Sequence, residues 1–172
     1  MPTLLRAFKG LEEQPQFKDL KLVKVGKAGG READFRRQTI EVIDSLNLSG
    51  EIRFTEVVPE ENLRAYYSNA ECLVLPSLYE GFGFPPLEAM ACDCPVITSN
   101  SSSLPEVVGE AAIKVSPHDI EGLAEALKKV LTNKELRKGL IAKGKAQAVK
   151  FSWEQTAKKT FKIYKEVGKG FR

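Results

Sequence analysis

The sequence predicts an α/β protein built on a doubly wound parallel sheet. Two observations carry that prediction. Short apolar runs alternate along the chain with amphipathic stretches of helical period. The runs themselves are apolar without strict alternation, as expected of strands covered on both faces. At 172 residues the chain suits one domain or slightly more.

The elements follow in order. Leu4, Leu5, Phe8 and Leu11 fall on one helical face and predict a helix over 3–13. "KDLKLVKVGKAGG" gives a strand at 20–25, closed by Gly26, Gly29 and Gly30. Residues 31–46 form an amphipathic helix carrying Phe35, Ile40, Ile43 and Leu46. "EIRFTEVV" is a short strand, and "PEENLRAYYSNA" a helix with Glu60 and Glu61 in its first turn, where negative charge suits the dipole. "CLVLPS" reads as a buried strand, "FPPLEAMACD" as the helix after it, and "PVITS" and "AAIKVS" as two further strands. Helices at 119–131, 133–149 and 152–167 complete the chain, the last opened by Ser152 and Gln155 in a capping-box pattern.

Composition excludes several classes. Twenty-six Lys and Arg against 23 Asp and Glu leave a net charge of +3, too small to argue for nucleic acid. No apolar run approaches the ~20 residues of a membrane span. No signal segment opens the chain. Three cysteines, Cys72, Cys92 and Cys94, read as reduced thiols in a cytoplasmic setting. The spacing of "CDC" is wrong for a zinc ribbon, and His118 is the single histidine. No metal site is expected, and Ser-His-Asp or Cys-His chemistry lacks support. His118 is expected to start the turn into the helix of "SPHDIEGL".

In a doubly wound sheet, ligands bind beyond the carboxyl ends of the strands. The loops "GKAGG", "TEVVPE", "SLYEGFGF" and "TSNSSS" all leave such ends. Gly81 and Gly83 let the backbone approach a ligand, and the amides opening the next helix can receive phosphate oxygens. Glu88, about one turn into that helix, can accept hydrogen bonds from vicinal hydroxyls, and so can Glu80 at the rim. A phosphate flanked by two hydroxyl-bearing rings describes a nucleotide-sugar. On spacing alone, a Gly-rich turn with both carboxylates solvated fits equally well.

The stretch "ECLVLPSLYEGFGFPPLEAMACDCPVITSNSSSLPEVV" resembles the donor half of retaining GT-B glycosyltransferases of the large family-4 (group 1) type. The two glutamates separated by seven residues carry the resemblance. It extends to "FSWEQTAKKTFKIYKEV" and back to "TLLRAFKGL", while "SNSSSLPEV" is similar to the mannosyltransferase-like branch. The resemblance implies a Rossmann-like domain with Glu80 as the catalytic-site carboxylate, binding hydroxyls of the donor sugar. Glu88 would bind ribose hydroxyls. The backbone of Gly81, Phe82 and Gly83 would lie along sugar and diphosphate, Leu87 would position ribose and phosphate, and Val58 would sit against the base. No cofactor or metal is implied. Stabilising the departing nucleoside diphosphate is then an electrostatic task.

Two positions depart from the family pattern, which has glycine where this sequence has Glu56 and Asp93. Asp tolerates left-handed backbone, so the turn at 93 is expected to persist. A side chain at 56 is expected to narrow the base pocket. The resemblance also implies a first strand, a Gly loop, a phosphate-clamping Arg and Lys, and a whole N-terminal acceptor domain ahead of "TLLRAF". None of these is in the sequence, and Arg6, Lys24 and Lys27 are poor substitutes.

Residues 1–172 are therefore expected to form a single C-terminal nucleotide-sugar-binding domain, with its first strand missing and its N-terminal domain absent. The expected function is the donor-binding half of a cytoplasmic hexosyltransferase of polysaccharide biosynthesis, transferring mannose or another hexose and inactive alone. The alternative is a stand-alone nucleotide-binding module without catalysis. An epimerase would need acid and base groups that His118 cannot supply by itself. The partners expected are the nucleotide-sugar donor and the missing domain, with peripheral membrane contact of the complete enzyme and a strand-exchange dimer of this chain as further options.

Overall fold

The computed structural model describes residues 1–26 and 32–169. Lys27, Gly29, Gly30 and the Phe35 side chain, all named above, lie outside the described residues. The order is α1 (Pro2–Glu12), β1 (Leu22–Lys24), α2 (Glu32–Ser45), β2 (Ile52–Phe54), α3 (Glu60–Asn69), β3 (Leu73–Leu75), α4 (Phe84–Ala91), β4 (Val96–Ser99), α5 (Leu104–Val108), β5 (Ile113–Val115), α6 (Ile120–Thr132), α7 (Lys134–Ala148) and α8 (Trp153–Lys169). A 3-10 turn covers Pro15–Phe17. The strands are parallel and the fold is Rossmann-like α/β, as predicted.

Three details differ from the sequence reading. Hydrogen bonds divide the strands into two ladders, β1–β2 and β3–β4–β5, with no pairing between β1 and β3 among the described residues. The apolar side of α1 accordingly serves two clusters. Leu4, Ala7 and Leu11 pack with Ile97, Leu123 and Leu127, whereas Leu5 and Phe8 pack with Ile43, Leu48 and Ile52. One helix thus ties both ladders together. The strand at 73–75 is only partly buried, unlike β4, which is buried throughout. β4 has a partner on each side, while among the described residues β3 pairs on one side only. Finally, "SLPEVV" contains the short helix α5, which the prediction lacked.

Successive residues of β4 explain the layering. Ile97 belongs to the cluster with α1 and α6, and Val96 to the cluster formed by α4 and α5. That is the two-residue period of a strand with cover on both faces. Asp93 takes φ 61°, as its tolerance of left-handed backbone predicts, and its carboxylate pairs with Lys145 at 2.9 Å. The Ser152 hydroxyl accepts the Gln155 backbone N–H at 3.1 Å, half of the expected capping box. Asp119, just after His118, caps α6 through Gly122 N–H at 2.8 Å. No helix among the described residues is long and apolar enough to cross a membrane.

Candidate functional site

The β3 and β4 loops leave neighbouring parallel strands at the same end and are stapled to one another by hydroxyls. Ser99 donates to the Ser77 carbonyl at 2.6 Å, and Thr98 to the Leu75 carbonyl at 3.1 Å. Ser102 donates to the Glu80 carbonyl at 2.8 Å, and the Glu80 N–H lies 3.4 Å from the same hydroxyl. Ser103 Oγ sits 3.0 Å from the Glu80 carbonyl and 2.7 Å from that of Phe82, so its one proton is shared. Ser102 adopts φ 56°, a left-handed conformation uncommon for a residue with a side chain. The loop carrying the glycine motif is therefore built by the serine run as much as by its own residues.

Gly83 is buried and takes φ +108° at the N-cap of α4. A Cβ there would lie 2.8 Å from Leu104 Cδ2, so both conformation and space require glycine. Gly81 differs, with nothing within 4 Å of a Cβ built on it. Its openness leaves room for a ligand along the loop. The helix start offers fewer donors than the sequence reading supposed. Pro85 and Pro86 occupy the second and third positions of α4 and carry no N–H, so Gly83 and Phe84 supply the free amides of that first turn.

The two carboxylates are held by neutral hydroxyls. Ser77 donates to Glu80 Oε1 at 2.8 Å, and Tyr67 donates to Glu88 Oε2 at 2.9 Å. Each carboxylate has about four acceptor positions, so one bond apiece leaves capacity for a ligand's hydroxyls. Glu80 is half-buried and Glu88 exposed. Burial of the Tyr67 ring, then its bond to Glu88, holds the phenol well above its usual range, so it remains a donor.

The other predicted positions fall as follows. Leu87 is buried with Ala89 and Met90 in the cluster under α4, so its side chain supports the site from the core. Val58 is partly buried in the loop after β2, near the exposed Glu56. Phe82 is partly exposed and joins an aromatic row that the sequence reading missed. Its ring centroid lies 4.7 Å from Phe84 and 6.0 Å from Phe151, and Phe84 lies 6.4 Å from Trp153. Offset and edge contacts at these distances are favourable and couple the loop to the start of α8. Tyr67, Ser77, Ser102 and Ser103 were also missed as site residues. The serine run and the aromatics of "FSW" were the available signals.

Residues 1–147 match the family model "Glycosyl transferases group 1". The chain belongs to the group 1 glycosyl transferases. It is 44% identical over 116 residues to the O-antigen chain mannosyltransferase B of Escherichia coli, covering 67% of this chain and 30% of that protein. Among solved structures it superposes on the sucrose-phosphate synthase of Thermosynechococcus elongatus with a TM-score of 0.82 and 28% identity, over 98% of this chain and 42% of that one. The Anabaena protein Alr3699/HepE in complex with UDP gives a TM-score of 0.82 at 18% identity, covering 95% of this chain and 44% of that one. The fold is that of GT-B glycosyltransferases, and this group 1 chain spans less than half the length of each of these relatives.

Proposed function

We propose that residues 1–172 are the donor-binding half of a retaining hexosyltransferase that takes its sugar, mannose foremost, from a nucleotide-diphosphate sugar. The observation carrying this reading is the stapled glycine loop between two hydroxyl-held carboxylates, Glu80 and Glu88. Glu88 accepts the ribose hydroxyls and Glu80 those of the sugar. The Gly81–Gly83 backbone and the Phe84 N–H follow sugar and diphosphate, Val58 meets the base, and Leu87 supports the ribose from below. The likeness to an O-antigen chain mannosyltransferase supports mannose and a role in polysaccharide synthesis. The reading needs no metal or cofactor.

Departure of a nucleoside diphosphate with retention leaves negative charge that must be met as the acceptor attacks from the same face. With Pro85 and Pro86 in α4, the helix start meets little of that charge. The cationic clamp, which the resemblance puts in this same half ahead of α1, and the acceptor site of a second domain then lie outside residues 1–172. Exposed apolar surface supports that division: Val23 on the first ladder, and Phe161, Ile163, Tyr164 and Val167 on α8, are all at least 42% exposed.

The test is to incubate the 172-residue chain, and separately the full product of the reading frame that encodes it, with GDP- and UDP-hexoses and sugar acceptors. Released nucleoside diphosphate is followed, and the anomeric configuration of the product is read by NMR. The chain alone is expected to bind donors weakly or undetectably and to transfer nothing. The full product is expected to transfer with retention. Sustained turnover by the chain alone overturns the division of labour, and inversion overturns the retaining mechanism. Saturable binding without transfer by the full product would favour a stand-alone binding module instead.

A further inference from the structure

We infer that Tyr67 is a positioning residue for Glu88, fixing which carboxylate oxygen remains for the nucleotide. The inference rests on the proposed role of Glu88 as acceptor for the ribose hydroxyls. Glu88 is exposed on α4, and a free glutamate there has three rotatable bonds to order when a ligand arrives. Tyr67 comes from the preceding helix, α3, which packs on α4. Its ring lies against the cluster of Leu87, Ala89, Met90 and Cys94, so its position is set by the core. From that anchored ring the hydroxyl reaches Glu88 Oε2 at 2.9 Å.

The bond has a direction that matters. A phenol donates to the carboxylate without neutralising it, so Oε1 and the remaining lone pairs stay available to accept from a ligand. A lysine or arginine at the same place would compete more strongly for that capacity. Pre-ordering a side chain before binding raises affinity by removing an entropic cost of association. Tyr66, one residue earlier, is 40% exposed and belongs to none of the three core clusters, which makes it the natural control.

The experiment measures calorimetric binding of UDP, GDP and ADP, each beside its 2′-deoxy counterpart, to the full product of the reading frame. Four proteins are compared: parent, Glu88→Gln, Tyr67→Phe and Tyr66→Phe. The parent is expected to prefer the ribonucleotide of its cognate base. Glu88→Gln should abolish that preference. Tyr67→Phe should reduce it by about three- to tenfold, the scale of one ordinary net hydrogen bond, because its effect on the ribose is indirect, with an unchanged melting temperature. Tyr66→Phe should leave it intact. A residue needed only for packing would not move the ratio of ribo- to deoxynucleotide affinity.

The failures separate. If Glu88→Gln keeps the preference, or the parent shows none, the ribose reading falls and this inference with it. If Glu88→Gln abolishes it while Tyr67→Phe retains it, Tyr67 is structural and the ribose reading stands. Should Tyr67→Phe fail to fold, a fluorinated tyrosine at position 67 keeps ring and hydroxyl and changes only donor strength. A shifted preference then supports the inference, and an unshifted one overturns it.

Discussion

The Ser77 hydroxyl donates to Glu80 Oε1 at 2.8 Å, and the Ser77 carbonyl in turn accepts from Ser99 at 2.6 Å. Glu80 is thereby oriented from the end of its own strand, which is itself held by the next strand. Replacing Ser77 with alanine removes one charge-assisted bond from a half-buried carboxylate. We expect kcat/KM for the nucleotide-sugar to fall about five- to fiftyfold in the full enzyme, with the melting temperature nearly unchanged. Steady-state kinetics check this, and an unaltered kcat/KM would show that Glu80 needs no orientation from Ser77.

Glu88→Gln preserves shape and removes charge. Because Glu88 is exposed, the fold should not depend on it, and thermal melts should superpose on the parent. Donor affinity should drop at least tenfold, since bonds to an ionised acceptor contribute about 1.5–3 kcal/mol. Unfolding of the variant, with normal binding by its folded fraction, would contradict the ribose role.

Gly81 and Gly83 should fail for different reasons. Valine at 83 meets φ +108° and a side chain at 2.8 Å, so about 2–4 kcal/mol of stability should be lost. Valine at 81 meets open space, so that variant should melt with the parent yet lose donor binding by obstructing the ligand. Chemical denaturation and calorimetry on the pair separate the two effects. A Gly81→Val variant that binds donor normally would show that no ligand runs along the loop.

Alkali should destabilise the chain through three groups that hold their protons more tightly when folded. Burial, with the nearby Cys94, pushes the Cys72 thiol up to about 12, and burial pushes Cys94 up to about 11. The Tyr67 phenol is raised too, by burial and by Glu88. A raised pKa contributes stability that is complete below the unfolded value, about 9 for the thiols, and is lost as pH climbs through the folded one. Melting temperature should hold between about pH 8 and 9 and then fall steadily to 12. Cys94→Ala should flatten the fall between about pH 9 and 11, and an identical slope in that variant would contradict the assignment.

Among the described residues, β1 and β3 each have one edge without a strand partner, and these edges should recruit strands. We expect a concentration-dependent dimer of the isolated chain in light scattering. A strictly monomeric chain at millimolar concentration would argue that the two edges are protected.

Apart from the short helix α5, order and type of elements were legible in the residues, because apolar period and Gly/Pro punctuation are local properties. So were the turn at Asp93, the glycine loop itself and the two carboxylates flanking it. The sequence by itself determined these, since each depends on the backbone preference or chemistry of one short segment. What grips the carboxylates was decided only in three dimensions. Tyr67 and Glu88 are 21 residues apart, and Ser102 and Glu80 are 22 apart. A tyrosine in an amphipathic helix or a serine in a loop looks the same in sequence whether or not its hydroxyl meets a partner. The division into two ladders was likewise a tertiary outcome. Strand pairing depends on which edges meet across α1, and α1 divides its apolar residues between both ladders because Leu4 and Leu5 point to different sides of the helix.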